Sequence, residues 1–246
     1  MSTGKELTNW VEKMAALATQ EAAQARPSSG NISFRSGMIS YESQAVPDNK
    51  LDCIIVGVAN ERTYYEGTYD PDNISNPTCF AIVPNEEEPT PHHSVPNPPA
   101  QACNECPWDA WGSAGNGRRG KACQQRKRLV AIPADAVKDA ETLLGAEVAS
   151  MKLPVTSVKN WDNYVLHVAR TAQRPTWAVV SQVSTAPDAK TQFKVSFNYL
   201  EDVDVTLLSA LEEKVQNSAP ILLRPYDLSA TAEEDAPKAK GSKHRA

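Results

Sequence analysis

Residues 51–66 read LDCIIVGVANERTYYE, and this stretch decides the predicted fold. Its first half contains a continuous apolar run, Cys53-Ile-Ile-Val56, which is typical of a strand buried inside a sheet. Its second half becomes polar from Arg62 to Tyr65, so the strand should emerge from the core there. The stretch therefore predicts one long strand and a protein organised around a β-sheet.

Further strands are predicted on both sides of this stretch. Before it, residues 32–41 favour a long, bent strand with Gly37 as a bulge. After it come short apolar or alternating runs of strand length, and the last two are joined as a hairpin by a turn at Pro187-Asp188. These later strands are residues 79–83, 124–133, 177–185 and 192–200.

Helical periodicity appears in four places. The N-terminal helix carries Leu7, Trp10, Val11, Met14, Leu17 and Ala18 on one face, which should pack on the core. The other predicted helices are residues 134–150, a helix after Ser157 whose stripe includes Trp161, and a helix capped by Asp202 that runs to Val215. Residues 220–226 are predicted to form a final extended segment.

The order of elements, three strands, a helix and two strands, predicts the fold class. It matches an OB-like five-stranded barrel, so we expect a mainly β (α+β) protein with flanking helices and a long loop insertion. The expected organisation is an N-terminal helix at residues 1–27, an OB-like domain at 28–227 with an irregular insertion at 84–123, and a disordered tail at 228–246.

Composition narrows the classes of function. The 246-residue chain has a formal net charge of -5, so any nucleic-acid binding must come from a local basic patch. No run approaches the roughly 18 apolar residues of a membrane-spanning helix, and the N-terminus has no apolar core of a secretory signal. We therefore expect a cytoplasmic location without a membrane partner, where the five cysteines are metal ligands or buried thiols rather than disulfides.

The cysteine spacing predicts a structural Zn²⁺ site. Cys103-Asn-Glu-Cys106 places two thiolates on one tight knuckle, where both can face a tetrahedral ion. Cys123 and Cys79 complete a set of four ligands. An ion held by them would order residues 84–123, which we therefore expect to be a zinc-stapled, zinc-binding loop insertion. His93 or His92 is the alternative to Cys79 as fourth ligand.

Two other interpretations of the cysteines are weaker. Cys53 lies in an apolar run and is expected in the core. A redox role for the C-x-x-C pair would require a strand-to-helix junction, whereas its surroundings here are loop.

A basic and aromatic stretch follows the C-x-x-C pair. Six cations occur within residues 118–128, with no acid among them, beside a glycine-rich loop that would let a phosphate chain approach. Aromatic rings near them could stack on bases. The predicted nucleic-acid-binding residues are Arg118, Arg119, Lys121, Arg126, Lys127 and Arg128, with Trp108, Trp111, Tyr64 and Tyr65; the alternative is a solvated strand face.

Three blocks of this chain resemble a known family. Cys103-x-x-Cys-Pro-Trp-x-x-Trp-Gly-Ser-Ala, Gly120-Lys-Ala-Cys123 and Arg126-x-Arg-Leu129 form the first block, Leu153–Tyr164 the second, and the hairpin with Phe197 the third. Together they resemble a zinc-containing family of bacteriophage proteins associated with single-stranded DNA binding. The resemblance implies a role in phage DNA replication, recombination or repair, in the host cytoplasm, with replication or recombination proteins as further partners.

The sequence thus predicts a sequence-tolerant single-stranded DNA-binding protein and not an enzyme. It contains no phosphate-binding glycine loop, no serine-nucleophile elbow and no H-E-x-x-H helix. Two alternatives remain open. One is a zinc-stabilised protein-binding adaptor in replication or transcription, and the other is a zinc-dependent nuclease or hydrolase.

Overall fold

The computed structural model describes residues 30–67, 75–84, 87–115 and 120–228, together with Trp10, Lys13, Met14 and Leu17. In this part of the chain, a curled open sheet dominates a mixed α+β fold with few helices. The sheet has nine strands, which are β1 (Asn31–Arg35), β2 (Met38–Tyr41), β3 (Gln44–Ala45), β4 (Lys50–Tyr64), β5 (Cys79–Pro84), β6 (Gln124–Pro133), β7 (Ala149–Lys152), β8 (Val179–Asp188) and β9 (Gln192–Asp202).

Strand β4 is the centre of the sheet, as its sequence predicts. Along the sheet the order is β3-β2-β1-β7-β6-β4-β8-β9, and β5 pairs with β4 beside this path. The first residues of β4 pair with β8 and its last residues pair with β5, while β6 runs along its other side. A register shift between Ile55 and Gly57 bends the strand.

Both faces of β4 are buried, which explains its continuous apolar run. Side chains of a strand alternate between the two faces of the sheet. Cys53 and Ile55 belong to one apolar cluster, and Ile54 and Val56 belong to the other. The prediction that Cys53 is a core residue is therefore confirmed.

Helices cover the two faces of the sheet. Besides the helical residues near the N-terminus, the described α-helices are α1 (Ala140–Gly145), α2 (Val158–Thr171), α3 (Leu208–Asn217) and α4 (Ala219–Leu222). Helix α2 packs Trp161 and Tyr164 into the first cluster, whereas α1, α3 and α4 place Leu143, Leu211 and Leu222 in the second.

The sheet curls so that distant strands approach each other. The hydroxyl of Thr185 on β8 donates to the carbonyl of Gly37, which lies in the turn between β1 and β2. That turn corrects a prediction: Ser36 and Gly37 have φ of 51° and 79° and form a two-residue hairpin, so residues 32–41 are not one bulged strand.

Several predicted boundaries are also wrong. The helix predicted over residues 134–150 is the short α1 followed by β7, since Asp139 caps the helix and the chain then pairs with β6. The cap before α3 is Asp204, while Asp202 ends β9. The hairpin turn follows Asp188 instead of containing it, and residues 220–226 begin within α4.

The two ends of the chain lie largely outside the described residues. The predicted tail at 228–246 is described only at Leu228. Trp10, Met14 and Leu17 are helical, as predicted, but they are 60%, 58% and 44% exposed, so their predicted packing on the core is not present in the structure.

Edge strand β9 is joined to the start of α2 by two hydrogen bonds. The backbone N–H of Val195 donates to the hydroxyl of Ser157, and the Asn160 amide donates to the carbonyl of Val195, at 2.9 and 2.8 Å. Both polar groups of this edge residue are therefore satisfied by side chains.

A buried charge pair ties the C-terminal segment to the sheet. Arg128 on β6 is 4% exposed and donates to the carboxylate of Glu61 on β4, which is 1% exposed, at 2.6 Å. The Arg128 guanidinium also donates to the carbonyls of Leu222 and Arg224. The hydroxyl of Tyr226 bonds the same carboxylate, so residues after α4 are held against this face.

We expect Arg128→Met to lower the free energy of unfolding by about 3–5 kcal/mol, because the Glu61 carboxylate stays buried without its cation. The double variant Glu61→Leu/Arg128→Met removes both charges and should recover part of that loss. Urea denaturation measures both values. Arg174→Met, which breaks a partly exposed pair with Asp202, is the control and should cost about 0–1 kcal/mol. An equal cost for Arg128→Met and Arg174→Met would show that the buried Glu61–Arg128 pair does not stabilise the fold more than an ordinary surface pair.

Candidate metal centre and nucleic-acid interface

Four of the five cysteines surround one small cavity. Cys79, Cys103, Cys106 and Cys123 line a space of about 10 Å³ together with Arg62, Tyr64 and the ring of Phe80. Cys79 comes from β5 and Cys123 from the residue before β6, while the C-x-x-C pair comes from the insertion. The four cysteines therefore reach this cavity from three separate parts of the chain.

Burial favours the protonated form of three of these thiols when no cation is present. The pKa of Cys103 is raised to about 11, chiefly by burial, with Arg62 opposing the shift and Cys79 and Cys106 adding to it. Burial likewise raises the pKa of Cys123 to about 12, with Cys103 adding to the shift, and it raises the pKa of Cys79. A divalent cation would reverse this balance, because metal binding displaces thiol protons.

The thiols surround the cavity without converging on a point. In the described part of the chain, no three His, Cys, Asp or Glu side chains stand in a geometry that could hold a metal ion as they are. The donor set itself is the one zinc prefers, four sulfur atoms on two sides of a loop. His92 and His93 do not line the cavity. His92 stacks on Phe80 and bonds Ser94, so Cys79 is the better placed fourth donor.

Backbone hydrogen bonds close the insertion into a compact knuckle, which we define as residues 103–114 and 120–123. Short 3-10 turns occur at Cys103–Glu105 and Pro107–Asp109. The N–H of Cys123 donates to the carbonyl of Trp108, and that of Gly112 donates to Gly120, both at 2.9 Å. The Ser113 hydroxyl links the two sides through Trp108 and Ala122.

Asp109 holds the knuckle on the sheet. Its carboxylate pairs with Arg62 of β4 at 3.0 Å and with Lys121 at 3.1 Å, and it accepts a hydrogen bond from Gln125 of β6. Arg62 also donates to the carbonyl of Cys103 at 3.3 Å. One carboxylate therefore joins two strands and both sides of the knuckle next to the cavity.

The predicted stacking residues divide into paired and exposed rings. Tyr64 and Trp108 stack on each other, with ring centroids 4.9 Å apart and planes 9° apart, so each ring already covers a face of the other. Trp111 is 80% exposed at the outer side of the knuckle. Tyr65 is exposed beyond the end of β4, where it bonds Tyr226. Trp111 is thus the ring that is available for stacking.

The structure divides the predicted basic groove between two faces. Arg126, Lys127 and Arg128 are consecutive residues of β6, and alternation sends neighbours to opposite sides. Lys127 bonds Asn60 at 2.8 Å on the face that α2 covers, where burial lowers its pKa. Arg126 bonds Gln124 on the other face. The prediction that all these cations face one groove is therefore wrong.

Arg128 is a specific correction. It is buried and bonded to Glu61 and two backbone carbonyls, so its guanidinium cannot reach a polynucleotide in this fold. Lys121 remains at the knuckle, paired with Asp109. Arg118 and Arg119 lie outside the described residues.

Sequence reasoning missed Arg62 and Asp109. Asp109 is one of two acids within residues 103–128, a region with six cations, and an isolated acid in such a region is a signal for an internal ion pair. Arg62 follows the buried part of β4 and could have been assigned only with knowledge of the knuckle position.

Comparisons with protein-family models, curated proteins and solved structures find no match for this chain. The resemblance to the phage family therefore stays a prediction. Among the described residues, no helix has the length and apolar character needed to cross a membrane.

We expect Asp109→Ala to loosen the knuckle, because Arg62, Lys121 and Gln125 lose their common acceptor. Limited proteolysis should cleave within residues 103–123 several-fold faster than in the wild type, since cleavage follows local opening. Asp52→Ala, which removes from β4 an exposed acceptor of Gln182 on β8, should leave the rate unchanged. Equal rates for wild type and Asp109→Ala would show that the carboxylate does not hold the knuckle.

Proposed function

We propose that this protein binds single-stranded DNA without sequence preference and without turnover. In this proposal the curled sheet is an OB-like barrel, and the insertion between β5 and β6 is a zinc-stapled binding element. The closing contact between Thr185 and Gly37 and the position of α2 against the inner apolar cluster support the barrel. Replication or recombination proteins are the further partners we propose.

The observation that carries the proposal is the exposure of Trp111. Trp111 is 80% exposed on a closed knuckle, and Trp is enriched at interfaces because its ring offers a large apolar area together with a polar N–H. An indole face can stack on any base, so it provides affinity without sequence preference.

Cations next to this ring would neutralise phosphates. Arg118 and Arg119 follow Trp111 within the same glycine-rich loop, and Lys121 closes that loop. The proposed phosphate contacts are therefore these three cations at the knuckle instead of the six cations predicted from the sequence.

A structural zinc ion would hold this surface in position. Cys79, Cys103, Cys106 and Cys123 would be its ligands, and binding would draw the four thiols of the cavity together. The ion would supply no chemistry beyond folding energy, since four protein ligands leave no open position for substrate.

The protein should contain about one zinc per chain when it is produced with zinc available. Cys106→Ser and Cys123→Ser should lose the metal, whereas Cys53→Ser, a buried thiol outside the cavity, should keep it. Elemental analysis of folded, size-purified protein measures the content, and circular dichroism verifies folding. A wild type without zinc, or equal loss in Cys53→Ser, would contradict the ligand set.

Binding to a labelled oligo-dT should be tighter than to a matched duplex and should weaken with salt. We expect Trp111→Ala to lose about 1–3 kcal/mol of binding free energy, the value of one base stack. Arg118→Ala/Arg119→Ala should reduce the slope of log affinity against log salt by about 1.4. Fluorescence anisotropy at several salt concentrations measures both effects.

Trp10→Ala is the matched control, because Trp10 is also exposed but lies far along the chain from the knuckle. It should leave DNA affinity unchanged. No affinity for DNA at low salt in zinc-loaded protein would overturn the proposal and favour the protein-binding adaptor, for which an exposed Trp is an equally good anchor. Metal-dependent cleavage of the oligonucleotide would instead indicate a nuclease.

A further inference from the structure

The N-terminal helix exposes an apolar stripe. Trp10, Met14 and Leu17 are helical and follow each other at intervals of four and three residues, so they lie on one face. All three are exposed, and the Lys13 ammonium stands 5.1 Å from the Trp10 ring centroid. A row of three large apolar side chains on a helix indicates a surface that another surface covers.

A groove of suitable character lies on the helical side of the sheet. It has a volume of about 430 Å³ and lies between the loop after α1 and helices α3 and α4. An apolar cavity of roughly 150 Å³ already accommodates a benzene ring, so this groove has room for more than one large side chain. Its apolar lining consists of Leu144, Ala146, Val148 and Ile221.

A lysine joins the two sides of the groove. Lys214 of α3 donates to the carbonyls of Leu144 and Ala146, which ties α3 to the loop after α1. Glu147, Glu213 and Arg224 give the groove charges of both signs. The N-terminal segment also carries both signs, at Lys5, Glu6, Glu12 and Lys13, so neither surface repels the other through net charge.

The chain enters the described fold at this groove. Gly30 is one of the lining residues, and its carbonyl accepts from the N–H of Ser150 at 2.8 Å, which pins the entry point to β7. Only residues 18–29 separate Leu17 from Gly30, and they include Pro27-Ser-Ser-Gly30, a turn-forming sequence. A connection this short places the helix at a high effective concentration relative to its own groove.

We propose that the groove is the docking site of this chain's own N-terminal helix, which inserts the Trp10, Met14 and Leu17 stripe. This arrangement differs from the exposed one in the structure, and it is independent of zinc and DNA. We assign the helix of the same chain to the groove because residues 18–29 connect that helix directly to Gly30, which lines the groove. A second copy would have to compete with a segment that is permanently tethered there.

Hydrogen–deuterium exchange on the full chain tests the proposal. Amides of residues 5–24 should exchange roughly tenfold or more slowly in the wild type than in Leu144→Glu, which places a charge in the groove. Trp10→Ser/Met14→Ser/Leu17→Ser should exchange as fast as Leu144→Glu. Leu166→Glu is the matched control, because Leu166 is 51% exposed on α2 and Leu144 is 41% exposed, and it should exchange as the wild type does.

Exchange is compared over a hundredfold range of protein concentration, with mass determined by light scattering. Slow exchange at every concentration in a monomer supports docking within one chain. Slow exchange only where dimers form would overturn it in favour of a second copy as occupant. Fast exchange in the wild type, or no effect of Leu144→Glu, would overturn the groove assignment. Exchange within α3 reports whether each variant is folded.

Discussion

Period-two alternation along β4 and β6 is the constraint on which the rest of the structure depends. The apolar halves of both strands are covered on both faces, so each residue there packs into one of two cores. The apolar halves of the two strands form the two cores, and the polar halves bind the C-terminal segment and the knuckle. On one face Glu61 and Arg128 bind the C-terminal segment. At the polar end of β4, Arg62 and Tyr64 bind the knuckle.

The knuckle is attached by more than its cysteines. Asp109 bridges β4, β6 and the loop, and the Tyr64–Trp108 stack adds an apolar contact beside it. These contacts bring the four thiols around one cavity before any ion is considered. In our proposal zinc therefore binds at a cavity that these contacts have already placed the four cysteines around.

Much of the sheet could be predicted from the sequence because its strands carry strong local signals. The long strand at 51–66, the short strand at 79–83 and the final hairpin are confirmed with small boundary changes. Strands β3 and β7 were missed because they have two and four residues, too few to give a period.

The position of Cys79 beside the C-x-x-C pair was predictable from ligand chemistry. The two-sided distribution of Arg126–Arg128 followed from alternation alone, but the burial of Arg128 did not, since it depends on Glu61 and on carbonyls nearly a hundred residues away.

The two hydrogen bonds at Val195 have a consequence for how copies of this protein behave in a crowded cell. An edge strand with unsatisfied backbone groups is a template on which another chain can anneal. Strand β9 is eleven residues long and would be such a template. Ser157 and Asn160 occupy the N–H and the carbonyl of Val195, so a foreign strand meets a blocked position partway along the edge. The helix that fills the inner core thereby also limits the growth of intermolecular sheets.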